Sequence, residues 1–397
     1  MITFATGIKV AHFANLVSAG LASLPARPQP AIMGAAVIAA DPEGQRLSVA
    51  TYDWDRSTTA TAGLPAAPEP HITAPVRFAV SGKLLAQVVK VAPKSTPLEL
   101  SISSTVMTIR AGKTVFTLPV MDVEDFPKIP AVAEHLVGTI GADVLIDAVT
   151  AISVAAEKES NARTIKECVS LVEENPDRLS ITALQNKVIA TTTVGWTSAP
   201  PDVNKSPQYV LDVRIIADEL LGVLKPMSGS ESIEIHTEGG LVGLTGTTGD
   251  QITVTSTVST FDMPYPAWRN LFERQHVTAV DVDETFAEAV RRAAAVAEKP
   301  LWIRFEPDAI SLSVDGALVD EVAPMAFDGD RIDFTVNPAA LREILATVGE
   351  PARLRFTDSP TKPVHISPVV GDCNANWDDG DEGIQCLLMG ISGQAAR

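Results

Sequence analysis

Apolar residues recur at i, i+3 and i+4 spacing in six stretches of the chain, and that spacing predicts six helices, each with one buried face. The stretches fall into two series: 9–23, 141–157 and 281–297, then 81–92, 212–224 and 337–348. Members of each series recur roughly every 125–140 residues, the mark of an internal repeat. In the second series each stretch opens on a residue suited to cap a helix, namely Ser81, Asp212 or Asn337. Each then passes a proline (Pro93, Pro226, Pro351) into a short alternating run, at 98–102, 232–236 and 353–356. Further alternating runs at 105–109, 179–182, 252–255 and 310–314 predict antiparallel strands.

Two helices and several antiparallel strands, repeated three times, define an α+β fold with domains at 1–134, 135–272 and 273–397. The Ala-, Thr- and Pro-rich stretch 57–70 is expected to be a surface loop, and 239–250 a Gly/Thr turn region. Residues 373–383, with Asp378, Asp379, Asp381 and Glu382, are expected to form an acidic loop.

With 46% of residues apolar and 20% charged, the 397-residue chain has material for two or three cores, and wholesale disorder is excluded. It contains no run of about 18 apolar residues and no signal-peptide order at its start, so a cytoplasmic protein without a membrane span is expected. Three cysteines (Cys168, Cys373, Cys386) without a C-x-x-C spacing make neither a disulfide scaffold nor a zinc cluster. Acidic residues outnumber basic ones by 49 to 31, a net charge of −18. A surface that coats nucleic acid everywhere is excluded, but a single cationic face is not. Basic residues cluster on or beside the expected helices: Lys9, Arg27, Lys83, Lys90, Lys158, Arg163, Lys166, Arg214, Arg291, Arg292 and Arg342. They are either solvated helix faces or a surface for phosphates, which needs only cations spaced along a backbone.

Several segments then carry a family resemblance. Leu24-Pro-Ala-Arg-Pro-Gln-Pro-Ala-Ile-Met-Gly34 and Leu47-Ser-Val-Ala-Thr-Tyr-Asp53 resemble the opening of the bacterial sliding clamp, the beta subunit of DNA polymerase III. Phe116-Thr-Leu-Pro-Val-Met-Asp-Val-Glu-Asp-Phe-Pro127 and Met263-Pro-Tyr-Pro-Ala-Trp-Arg-Asn-Leu271 are similar to segments closing that family's first two domains. Phe334-Thr-Val-Asn-Pro-Ala-Ala-Leu-Arg342 and Phe356-Thr-Asp-Ser-Pro-Thr-Lys-Pro-Val364 resemble its third. The likeness spans nearly the whole chain, in the order the repeat dictates, and suggests a diverged member of actinobacterial type.

The resemblance implies a head-to-tail dimeric ring that encircles double-stranded DNA without sequence preference and tethers polymerases. It implies DNA-facing roles for Arg27, Lys83, Lys90, Lys158, Arg163 and Arg214. It implies an apolar pocket for short linear peptides of the polymerase and clamp loader, formed by Ile165, Leu184, Lys187, Val188, Ile189, Pro266, Asn270, Leu271, Pro363, Leu387 and Met389. It also implies a homodimer interface with Phe116 and Leu118 on one side and Ala294, Ala295 and Val296 on the other. The chain departs from the family pattern at Ala183-Leu-Gln-Asn-Lys-Val188, where the family usually reads Thr-Asp-Gly-x-Arg-Leu. It departs again near its end, where Gly390 and Ser392 replace the family's proline and arginine. A phage-encoded or accessory copy acting as an interaction scaffold is the alternative reading.

Motifs for catalysis are missing. Arg110-Ala-Gly-Lys-Thr114 ends like a phosphate-binding loop, but Met107 stands where the first glycine belongs. Asp372-x-Asn374-x-Asn376 opens like a calcium loop, yet Trp377 replaces the turn glycine. Six histidines are scattered, and no G-x-S-x-G or H-E-x-x-H occurs. No catalytic residue, metal or cofactor is expected; an enzyme built on the acidic C-terminal loop is the remaining alternative.

Overall fold

A computed structural model describes residues 2–64, 71–132, 135–158, 163–200, 210–296, 299–315, 317–359, 362–373 and 383–391. The acidic loop expected at Asp378–Glu382 and the tail from Ser392 lie outside these residues. Among the described residues the α-helices are α1 (Val10–Gly20), α2 (Gly82–Val91), α3 (Ala142–Ile152), α4 (Ala217–Leu224), α5 (Glu284–Val296) and α6 (Pro338–Val348). All strand pairings among the described residues are antiparallel, which gives the expected α+β class.

The predicted caps work at two helices. Ser81 Oγ accepts from the Leu84 amide at the start of α2, and Asn337 Oδ1 accepts from the Ala339 and Ala340 amides at the start of α6. Pro338 follows Asn337 in the first turn, where its missing N–H costs nothing. The cap predicted at Asp212 is wrong. Asp212–Ile216 is a strand paired with Cys168–Asn175, because the β-branched Val213, Ile215 and Ile216 suit a pleated surface, and α4 begins only at Ala217. Likewise Thr278–Val282 is a strand that takes the first residues expected in α5.

The chain divides into two compact units. The first comprises 1–146, 196–211 and 218–261 and holds one 13-stranded sheet. Its middle corrects a second expectation: the stretch read as a loop contains the strand Arg56–Gly63, paired along its length with Ile252–Ser259. Small residues and hydroxyls replace large apolar side chains there, so the sequence lacks the usual alternation. Instead Ser57 shares a hydrogen bond with Thr257 (2.7 Å) and Thr58 one with Ser256 (3.0 Å), all four buried. The expected turn region at 239–250 is likewise mostly the strand Leu241–Thr248 between two turns. α1 buries Val10, Phe13, Leu16 and Val17. Its last residue must be glycine, since a Cβ on Gly20 would lie 2.4 Å from the Val49 carbonyl oxygen.

The second unit comprises 147–195, 212–217 and 262–397 and holds a nine-stranded and a four-stranded sheet. Its first and last segments meet where Val188–Gly195 pairs with Gln385–Leu388, in the register Val188 to Leu388 and Ile189 to Leu387. Asp281 and Arg353 form a buried two-pronged ion pair at 2.6 and 2.9 Å. Arg353 also donates to the Val370 and Gly371 carbonyls, so one guanidinium pins the segment after the strand Val364–Pro368. No helix among the described residues is long and apolar enough to cross a membrane.

Candidate functional site

Three features could engage partners. The first is the helix pair of unit one. Lys83 and Lys90 are exposed, seven residues apart on α2, hence on one face and about 10 Å apart along the axis. A groove of about 450 Å³ runs between α1 and α2, bordered by Asn15, Ser18, Leu21, Val89 and Lys90. Arg27, exposed in the segment after α1, and Lys83 and Lys90 have no carboxylate partner among the described residues.

The other three expected cations belong to unit two and differ among themselves. Lys158 is exposed after α3. Arg163 is half-buried on left-handed backbone (φ 45°). Arg214 is not on a helix: it sits on the strand Asp212–Ile216, its Nη2 is 2.8 Å from Asp212 Oδ1, and only 19% of its side chain is exposed. Its charge is spent locally.

The second feature is an apolar pocket of about 200 Å³ inside unit two. Nine of the eleven residues expected there line it: Leu184, Lys187, Val188, Ile189, Pro266, Leu271, Pro363, Leu387 and Met389. Ile165, in a 3₁₀ turn, and Asn270, exposed, do not. The pairing of Val188 and Ile189 with Leu388 and Leu387 builds one wall, and Met389 N–H donates to the Lys187 carbonyl at its lip. The opposite wall, 263–271, is carried by Tyr265. Its hydroxyl donates to the Cys168 carbonyl (3.0 Å) and accepts from the Leu184 amide (3.0 Å), and burial pushes its pKa well above the ordinary phenol value.

The sequence missed Tyr265 as a positioning residue, and it missed Gln185, Asn186, Ala267 and Trp268 as lining. Trp268 had a readable signal, for it stands four residues before Phe272 and the rings meet edge to face at 5.6 Å. Behind the wall, Phe272 lies 5.4 Å from His365, and His365 is 5.8 Å from His276. Burial, then the nearby Arg355 guanidinium, pulls His365 down to about 3 and His276 to about 4, so both rings are neutral at pH 7. His365 Nε2 meets Gln385 Oε1 at 2.6 Å, an arrangement that needs its proton on that nitrogen.

The third feature is a pair of open strand edges. In Thr114–Met121, only Val120 and Met121 pair with the strand Val76–Ser81, so the side of 114–119 away from Val106–Ala111 is unpaired among the described residues. In unit two, Ala317–Val322 ends the four-stranded sheet. Val115, Leu318 and Val296 expose 45%, 61% and 69% of their surfaces. Of the residues expected at an interface, Ala295 and Val296 are exposed and Phe116 and Ala294 half-buried. Leu118, at 1%, belongs to its own core instead, on the inward face of its strand. The near-miss of a phosphate-binding loop at 110–114 is the hairpin turn joining two of these strands.

Residues 5–130 match the family model for the N-terminal domain of the DNA polymerase III beta subunit. The chain is 28% identical over 310 residues to the beta sliding clamp of Streptomyces coelicolor, covering 75% of this chain and 76% of that one. In structure it is similar to the DNA polymerase sliding clamp from Bacillus subtilis, with TM-score 0.82, 19% identity and coverage of 99% of this chain and 100% of that one. It is also similar to the DNA polymerase III beta subunit from Thermotoga maritima, with TM-score 0.80, 20% identity and coverage of 98% and 99%.

Proposed function

We propose that this chain, which belongs to the DNA polymerase III beta subunit family, is the protomer of a DNA sliding clamp. Two copies close head to tail around duplex DNA, and peptides of the replicative polymerase and clamp loader dock in the pocket walled by Val188, Pro266, Trp268 and Leu387. Three clamp domains, at 1–134, 135–272 and 273–397, supply the repeated helices, and the protein works in the cytoplasm without a catalytic activity of its own.

The observation that carries this reading is the exposed cationic face of α2, without an acid partner among the described residues, in a chain of net charge −18. A ring held by topology needs no tight grip, and point charges facing phosphates let it slide; an acidic exterior discourages binding elsewhere. The two open edges support closure, since an unpaired strand with exposed apolar side chains seeks another strand. Edge 114–119 of one protomer meeting edge 317–322 of its partner is a heterologous contact, and two such contacts close a twofold ring.

Two measurements test this. Sedimentation at micromolar concentration should report twice the 42.0 kDa chain. The protein loaded on nicked circular DNA should stay bound through gel filtration and leave once the circle is cut. A monomer would point to the scaffold reading, and retention on linear DNA would rule out a topological link.

A further inference from the structure

Trp54 is out of place by two independent criteria. It stands in the turn joining strands Arg46–Tyr52 and Arg56–Gly63 with φ at +77°, a conformation that suits glycine or asparagine and strains a bulky side chain. It also exposes 54% of its surface, and no other aromatic ring among the described residues is exposed. A strained turn with an exposed indole serves neither folding nor solubility.

The ring is nonetheless held in place. Asp53 Oδ1 accepts from the Arg56 and Asp55 amides at 2.8 and 3.3 Å, and Asp53 Oδ2 pairs with Arg56 Nε at 2.8 Å, which fixes the turn and neutralises that carboxylate. The Tyr52 hydroxyl donates to the Trp54 carbonyl, and the two rings lie 5.5 Å apart. Trp54 Nε1 donates to the Gln29 carbonyl at 3.4 Å, which lays the indole along the segment that carries the exposed Arg27 two residues earlier.

We propose that Trp54, bonded to the segment that carries Arg27, is a stacking platform for an unpaired nucleobase of the DNA the clamp holds. This rests on the clamp reading and adds a ligand to it. Lysines serve a duplex, whose phosphates ask only for charge and whose base faces are covered by their neighbours. An exposed indole on a segment that also carries an exposed arginine is of use where bases are unstacked, because any base can stack on the ring while a phosphate meets the cation. The occupant is therefore the single strand at a primer–template junction, and the preference is for junctions over continuous duplex.

The test uses the full-length protein, a blunt duplex, and the same duplex with a single-stranded overhang, with binding read by fluorescence anisotropy. The wild type should bind the overhang DNA more tightly. Trp54→Gly suits the positive φ and so keeps the fold; it should remove most of that advantage, roughly tenfold, and leave the blunt duplex unchanged. Trp54→Phe should keep most of the advantage, while Lys83→Gln should weaken both DNAs alike. If Trp54→Gly changes both DNAs equally, or neither, the platform is wrong and the clamp reading stands. If the wild type binds neither DNA, or both alike, the platform is wrong, while the clamp reading is decided separately by retention on nicked circular DNA.

Discussion

α2 and α5 both present two basic side chains, yet they offer different amounts of charge. On α2, Lys83 and Lys90 face solvent with no acid beside them among the described residues. On α5, Arg291 and Arg292 both reach Glu288, at 3.9 and 3.5 Å, and Arg292 also donates through Nε and Nη2 to Asp320 at 2.8 and 2.5 Å. Arg342 on α6 lies 3.8 Å from Glu343. Repeats that share helix pattern therefore do not share electrostatics. Among the described residues, the free cations of these helices belong to unit one, whereas the cations on the helices of unit two, Arg291, Arg292 and Arg342, each stand beside an acid of that unit.

That commitment is strongest at Arg353, and there the contrast can be broken most severely. Arg353→Met leaves Asp281 charged, buried and without its guanidinium, and removing one partner of such a pair costs about 3–5 kcal/mol. Denaturant melts should show unit two weakened by that amount. The double substitution to apolar residues should recover most of it. A loss below about 1 kcal/mol in the single variant would mean that Asp281 takes up a proton instead.

Acid should separate the units next. His365 is neutral in the fold, with its pKa pulled from 6.5 down to about 3. A depressed histidine pKa means the unfolded chain binds more protons between those values, so stability is complete above pH 6.5 and falls as pH drops below it. By pH 5 the loss from His365 is about 2 kcal/mol relative to pH 8. His276 acts in the same direction. Both residues belong to unit two, so its tryptophan Trp302 should report unfolding at a higher pH than Trp196 of unit one. His365→Gln should remove much of that difference; equal acid midpoints in the wild type would contradict it.

On DNA the order of the units reverses. Lys83→Glu with Lys90→Glu should weaken retention at least about tenfold and lower the salt-dependence slope by about two, one for each phosphate left without its lysine. Parallel binding curves at several salt concentrations check both numbers. An unchanged slope would remove α2 from the DNA surface.

The sequence made some of this legible. Ser81 and Asn337 announced α2 and α6 because capping is a local interaction, three residues long. Asp212 misled because the same cap chemistry preceded a β-branched run, and pairing with Cys168–Asn175 decided in favour of a strand. The strand Arg56–Gly63 was invisible, since its partner lies nearly 200 residues away and its stabilisation comes from hydroxyl pairs rather than apolar alternation. The pocket residues came from resemblance, not pattern: burial alone marks Leu184, Val188 and Leu387 as ordinary core. Tyr265 could not be read at all, because its function is to bond Cys168 and Leu184, each more than 80 residues away. Available charge was equally hidden, because Asp320 meets Arg292 only through the fold.

The smallest expected effect is the one that most sharpens the contrast. Arg292→Gln removes one positive charge from α5, as Lys83→Gln removes one from α2, so a count of charges predicts the same loss of DNA affinity. The pairing with Asp320 and Glu288 predicts otherwise. A guanidinium already held by two carboxylates contributes little net field, and an exposed pair adds little to stability. Arg292→Gln should therefore change DNA affinity by less than about twofold and leave the melting temperature close to the wild-type value. Asp320→Asn is the complementary test. If pairing is what silences Arg292, freeing it should raise DNA affinity and steepen the salt dependence, although the substitution lies on a strand rather than on a helix. Equal losses from Lys83→Gln and Arg292→Gln would show that phosphates displace the carboxylates when DNA arrives, and the two helices would then be equivalent after all.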